Sequence, residues 1–231
     1  MTQPDAPTRA PSSRSLEARS ARLAWLSRAL YDPELSAGQP FETGGDRALE
    51  RLERERAAAA LGRLASEYRR IFGHTPGGPC PLYELSWLRA GDFAAEQELS
   101  DIGAFYRAFA VQLSASARER IDHAALELEF LAYAAHLEAR AAAEADAERV
   151  AVAREAQRSF LRDHFGRWAP PFFERMEERA PEGFYRSAAR WARAELPRIF
   201  ADLDVEPAVH VGEPAARAVR ESEEPEEVPT P

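Results

Sequence analysis

Apolar positions recur at steps of three and four residues through most of the chain, the spacing of one buried helix face. Leu16, Leu23, Leu26 and Leu30 form a first stripe, with Trp25 beside it. Pro33, Pro40, Gly44 and Gly45 predict a loop over 32–45, and Asp46 suits the cap of the next helix. Leu49, Leu52, Arg56, Ala60, Leu64, Tyr68 and Ile71 predict one continuous helix. It stops at Gly73, a residue suited to a left-handed C-terminal position. The run GHTPGGPCP over 73–81 excludes regular structure, and a short element follows at 82–90.

Leu99, Ile102, Phe105, Phe109 and Leu113 predict a further helix. Ser116-x-x-Glu119 reads as a capping box that opens another, carrying Ile121, Ala125, Leu128, Leu131 and Ala135 towards Ala143. A helix over roughly 147–166 ends on Phe160, Leu161 and Phe165. Pro170-Pro171 reads as the start of a helix to Arg179. Pro181 begins the last helix, with Tyr185, Ala188, Trp191 and Leu196. No stretch alternates with period two for long enough to make a strand. The predicted fold is therefore all-α, a single-domain bundle of about seven or more helices.

Charge adds a boundary at each end. The chain of 231 residues carries a formal net charge of -9. Nine acidic residues lie from Asp202 onward against Arg217 and Arg220, so about -7 belongs to the end and about -2 to the rest. Five prolines share that segment, so 204–231 reads as a disordered acidic tail. Residues 1–14 hold Pro4, Pro7 and Pro11 and no apolar run, and read as a disordered arm. That leaves 15–203 as the folded domain. No run resembles a secretory signal or a membrane span, so the expected location is cytoplasmic.

Composition closes several functions. There is no Lys and no Asn; all 30 basic residues are Arg. A phosphate-loop lysine, a Schiff base and N-glycosylation are thereby excluded. A single Cys permits neither an internal disulfide nor a cysteine-rich zinc site. The five His form no HxxxH or HExxH. Arg120, Tyr133 and Leu161 stand three residues before His123, His136 and His164, so the Glu-x-x-His of a di-iron bundle is absent. No metal ligand, cofactor or catalytic residue is expected. A near-neutral body gives little reason to expect a nucleic-acid partner. Residue chemistry alone leaves open a helical binding module, a small hydrolase using Cys80 or His123, and a helical regulator of another protein.

Two segments narrow this. The first is Tyr68-Arg-Arg-Ile71-Phe72-Gly with Pro81-Leu-Tyr83-Glu84 after the proline-rich loop. The second is Glu119-Arg-Ile-Asp122-His123 followed by Glu127-Leu-Glu129-Phe130. Leu99-x-Asp101 to Phe109 lies between them, and Phe160-Leu161-x-x-His164-x-x-x-Trp168, Phe172 and Phe184-Tyr185 follow. In this order and spacing the chain resembles the TorD/DmsD/NarJ family of chaperones for molybdenum-containing oxidoreductases.

The resemblance implies a cytoplasmic, all-helical protein without a reaction of its own. It would bind the catalytic subunit of a molybdopterin oxidoreductase of the dimethyl sulfoxide reductase superfamily, at its N-terminal twin-arginine region. It would hold that subunit for cofactor insertion before export. Some relatives swap halves into dimers or bind guanine nucleotide weakly, so a homodimer stays open. The family's binding surface maps onto Tyr68, Ile71, Phe72, Pro81, Tyr83, Glu84, Asp122 and His123. Asp122 is the expected acceptor for a partner guanidinium, and the aromatics the apolar surface. Tyr68, Ile71 and Phe72 also continue a core stripe, so core packing and groove lining are both open for them.

Overall fold

A computed structural model of the chain describes residues 13–34, 40–73, 78–88, 92–114, 119–209 and 214. Eight α-helices are present among them. They are α1 (Ser13–Ala29), α2 (Arg47–Ala58), α3 (Leu61–Phe72), α4 (Asp92–Ala108), α5 (Ala124–Ala143), α6 (Ala147–Phe160), α7 (Gly166–Arg179) and α8 (Phe184–Leu203). A 3-10 turn at Glu84–Ser86 and a π turn at Leu161–Phe165 complete the regular elements. The all-α expectation holds. The described residues include one isolated antiparallel bridge, Tyr83 to His123, and no strand. No described helix is long and apolar enough to cross a membrane.

Helix α5 is the axis of the bundle, with α1 along one side and α6 along another; α7 packs on α8. Its buried face is mostly alanine, including Ala124, Ala125, Ala132, Ala135 and Ala139. Such small side chains let the α1 backbone come close. The Ser20 and Ser27 hydroxyls donate to the carbonyls of Ala132 (2.9 Å) and Ala125 (2.8 Å). Deeper in, the Arg19 guanidinium pairs with Glu138, both nearly inaccessible to solvent. Gln157 Nε2 also donates to Glu138 (2.7 Å), and Arg154 reaches its other oxygen (3.2 Å). Large side chains fill the remaining space: Trp25, Trp87, Trp168, Phe130, Phe160 and Phe172 are fully buried.

Several boundaries differ from the sequence reading. The helix predicted over 47–73 is two helices, parted at Ala59 and Ala60, both extended. Neither proline nor glycine marks the break; tertiary packing sets it. Arg56 ends α2 against the Phe41 ring (4.1 Å) and Glu53, while α3 turns Leu64, Tyr68 and Ile71 into the core. Gly73 has φ 81° and ψ -171°, a glycine-only conformation but not the left-handed helical one. Helix α4 ends at Ala108, and Leu113 is exposed. Ser116 lies outside the described residues, and the capping-box start is replaced by a start at Ala124, capped by His123. Pro181 precedes the last helix, whose cap is Gly183.

Helices α6 and α7 form one rod interrupted by the π turn, so Pro170 and Pro171 lie inside a helix rather than opening it. The Gly166 N–H donates to the carbonyls of His164 and Leu161. A Cβ on Gly166 would sit 2.2 Å from the Leu161 oxygen, so only glycine closes this turn.

Both predicted ends shift slightly. Ser13 and Arg14 already belong to α1. At the other end, Val205 is buried, and Pro207 lies against Gly166. Residues 1–12, 210–213 and 215–231 lie outside the described residues.

Candidate functional site

The proline-rich approach to the Glu84 turn brings two of the singled-out segments together. The Ala124 N–H donates to the Leu82 carbonyl (2.7 Å), and the Glu84 N–H to the Asp122 carbonyl (2.9 Å). Tyr83 and His123 thus face each other across a short bridge, their rings at 5.1 Å and 78°. His123 caps α5: its Nδ1 accepts from the Ala125 N–H (3.1 Å). On its other side Tyr31 stacks at 6.0 Å and 17°. Burial pushes the His123 imidazole down to about 4, against an attraction from Glu119, whose carboxylate lies 3.9 Å from Nε2.

Asp122 stands one residue before the cap, not within the helix, and its carboxylate is 0% exposed. It accepts from the Leu85 N–H (3.2 Å) and from both arms of the Arg120 fork, Nη2 at 2.8 Å. Arg120 is 41% exposed and lies over the Tyr83 ring at 4.9 Å. The hydrogen bond to Asp122, opposed by burial, raises the Arg120 pKa further. The Tyr83 hydroxyl donates to Glu119, and the Tyr31 hydroxyl to Glu129 (3.2 Å). The accessible rim is therefore Tyr31, Tyr83, Glu119, Arg120 and Glu129, with Asp122 directly beneath its arginine.

Tyr68, Ile71 and Phe72 lie elsewhere. All three are buried, and Phe72 packs on Tyr68 (4.8 Å), Phe172 and Tyr185. In this arrangement they are core. One connection to the rim exists: the Tyr68 hydroxyl donates to the Leu30 carbonyl (3.2 Å), and the next residue is Tyr31. Pro81 is buried, its carbonyl accepting from the Trp87 indole (2.9 Å). Glu84 is 0% exposed and points away from the rim, towards Glu127 and His164. Burial, above all, raises the pKa of both Glu84 and Glu127.

Four rim residues carry no role in the sequence reading: Tyr31, Glu119, Arg120 and Glu129. Arg120 and Glu119 stand inside the quoted Asp-His segment, and an arginine two residues before a carboxylate is a legible partner. Tyr31 carried no such signal. The sequence alternative built on Cys80 lacks its geometry. The thiol is fully buried, its nearest polar contact is the Phe172 carbonyl at 3.7 Å, and burial pushes its pKa up.

The chain is 35% identical over 115 residues to the selenate reductase assembly chaperone protein of Thauera selenatis. That match spans 49% of this chain and 58% of the relative, somewhat over half its length. The pattern of the nitrate reductase delta subunit family matches residues 39–174, which run from the α2 approach through most of α7 and include the whole Asp122 rim except Tyr31. With more than half of its length matched, the chain belongs to the nitrate reductase delta subunit family.

Proposed function

We propose that this protein is a chaperone for the assembly of a molybdopterin oxidoreductase, holding its catalytic subunit while the cofactor is installed. Family membership carries the reading, and the name of the Thauera selenatis relative supports it. On this reading the protein works in the cytoplasm and catalyses no reaction. Its partner-binding region is the Tyr83–Asp122–His123 rim, and its client feature is an arginine-bearing N-terminal segment.

The chemistry of the rim supports that client. Asp122 already accepts a bidentate guanidinium, flanked by the Tyr83 face, and that is the environment a partner arginine needs. Arg120 sits where that group would go, so the partner displaces it. Exposed Glu129 and half-buried Glu119 give a second guanidinium its acceptors. Tyr68, Ile71 and Phe72 would contribute apolar surface only if α3 shifted relative to α8.

The test is recovery of the tagged full chain from its native host, with bound proteins identified by mass spectrometry. A molybdopterin oxidoreductase catalytic subunit should be enriched; its absence under cofactor-limited growth would refute the reading. Calorimetry with a twin-arginine peptide separates out the site. Asp122→Asn should weaken binding by about 1–3 kcal/mol.

A further inference from the structure

On the far side of the Glu84 turn, three donors from three elements converge: Glu84, Glu98 of α4 and His164 of the π turn. Their ligand atoms all lie within 4.8 Å of one another. Glu84 is 0% and His164 2% exposed. Neither Glu84 oxygen has a hydrogen-bond partner, nor has His164 Nδ1. Buried polar atoms are nearly always satisfied, so an unpartnered Glu84 carboxyl beside an unpartnered His164 nitrogen calls for a missing partner.

The distances discriminate between partners. His164 Nδ1 lies 3.5 Å from Glu84 Oε2 and 3.7 Å from Glu98 Oε2. These are long for a hydrogen bond. An ion with ligands at about 2.1 Å in tetrahedral geometry separates its donors by roughly 3.4 Å. The surroundings are built accordingly. Arg167 holds the other Glu98 oxygen (3.1 Å), leaving Oε2 turned inward. Phe105 and Phe160 pack on the imidazole at 5.5 and 5.1 Å. A π turn is a common device for aiming a functional side chain. An open cleft of about 640 Å³, lined by Glu98, Asp101, His164, Arg167 and Glu206, gives access from solvent.

We propose that Glu84, Glu98 and His164 form a binding site for a divalent first-row transition ion, with zinc or manganese as its class. One imidazole nitrogen and two carboxylate oxygens suit these ions better than magnesium or calcium, which favour all-oxygen shells. The ion would give the buried Glu84 carboxyl and the His164 imidazole the partner that they lack. It would tie α4 and the π turn to the Glu84 turn, whose next residue, Leu85, donates to Asp122. The ion is independent of the chaperone reading, since its binding needs no client.

The test uses the full chain, stripped with chelator and titrated with zinc, manganese or cobalt chloride. Calorimetry should give one ion per chain, and cobalt should develop visible bands of a nitrogen- and oxygen-ligated centre. Glu98→Gln, at the partly exposed ligand, keeps the fold and should weaken binding by about tenfold or more, as loss of even an outer partner does. His164→Gln should abolish the cobalt spectrum. No binding of any of the three ions to the wild-type chain overturns the proposal. Unchanged affinity in Glu98→Gln overturns it equally.

Discussion

Arg120 grips Asp122 with both arms of its guanidinium, although the arginine is on the surface and the carboxylate is fully buried. The pair is local in sequence, yet it closes the turn that joins the Glu84 segment to α5. Removing the arginine takes two guanidinium hydrogen bonds from a buried carboxylate that also accepts from the Leu85 N–H. Arg120→Ala should cost about 1–2 kcal/mol in urea unfolding, below the value for a fully buried pair because Arg120 is screened by solvent. In the Asp122→Asn background the same change should cost much less. Equal costs in both backgrounds would mean that the pair contributes nothing.

Arg120→Ala also bears on binding. With the intrinsic guanidinium gone, an arginine-bearing peptide meets no competitor at Asp122. Calorimetry should find tighter binding than to wild type. Weaker binding would show that Arg120 assists the client instead of occupying its place.

His123 makes stability depend on pH. Its imidazole is held down to about 4 by burial, whereas in the unfolded chain it titrates near the ordinary 6.5. Between these values the unfolded state binds the proton and the native state does not. Stability is therefore intact above pH 6.5 and falls as pH drops towards 4, by up to about 3 kcal/mol. The neighbours that oppose this are Glu119 and Asp122, which favour the charged ring. His123→Asn retains a capping acceptor and should flatten the profile in that window when the two proteins are compared by urea unfolding. A wild-type profile of the same slope as the variant's would rule His123 out.

The Arg19–Glu138 pair is expected to dominate a different measurement. Glu138→Ala leaves Arg19 nearly inaccessible and without its charge partner, and should cost about 3–5 kcal/mol. Replacing both residues together, Arg19→Met with Glu138→Leu, should recover most of that loss. Denaturant midpoints of the three proteins decide the point. A double variant as unstable as the single one would show that Gln157 and Arg154, not the pair alone, need Glu138.

Cys80 should be silent. With no exposed sulfur and its thiol disfavoured as thiolate, it should resist thiol reagents in the native protein and react fully in denaturant. Rapid native labelling would mean that the 78–88 segment opens readily.

Much of the helical architecture was legible because the stripes are strong: the Leu16–Leu30 face and the Ala125–Ala135 face appear as α1 and α5. What periodicity could not reveal was the break at Ala59–Ala60, since both residues favour helix and only the packing of α3 against the core separates it from α2. The π turn was equally hidden, although Gly166 in front of Trp168 was a sign that the backbone needed room. Of the accessible rim only Tyr83 was legible, together with the buried Asp122-His123 pair beneath it. Tyr68, Ile71 and Phe72 read alike as groove or core, because a stripe records which face is apolar and not what covers it. The Glu84–Glu98–His164 cluster carried no spacing signal at all, being assembled from three separate elements.

Pro207 lies beside Gly166, two residues from His164, so a side chain at position 166 would meet Pro207 as well as the Leu161 carbonyl. A change at Gly166 therefore disturbs two parts of the molecule at once, the π turn and the packing of the chain beyond α8.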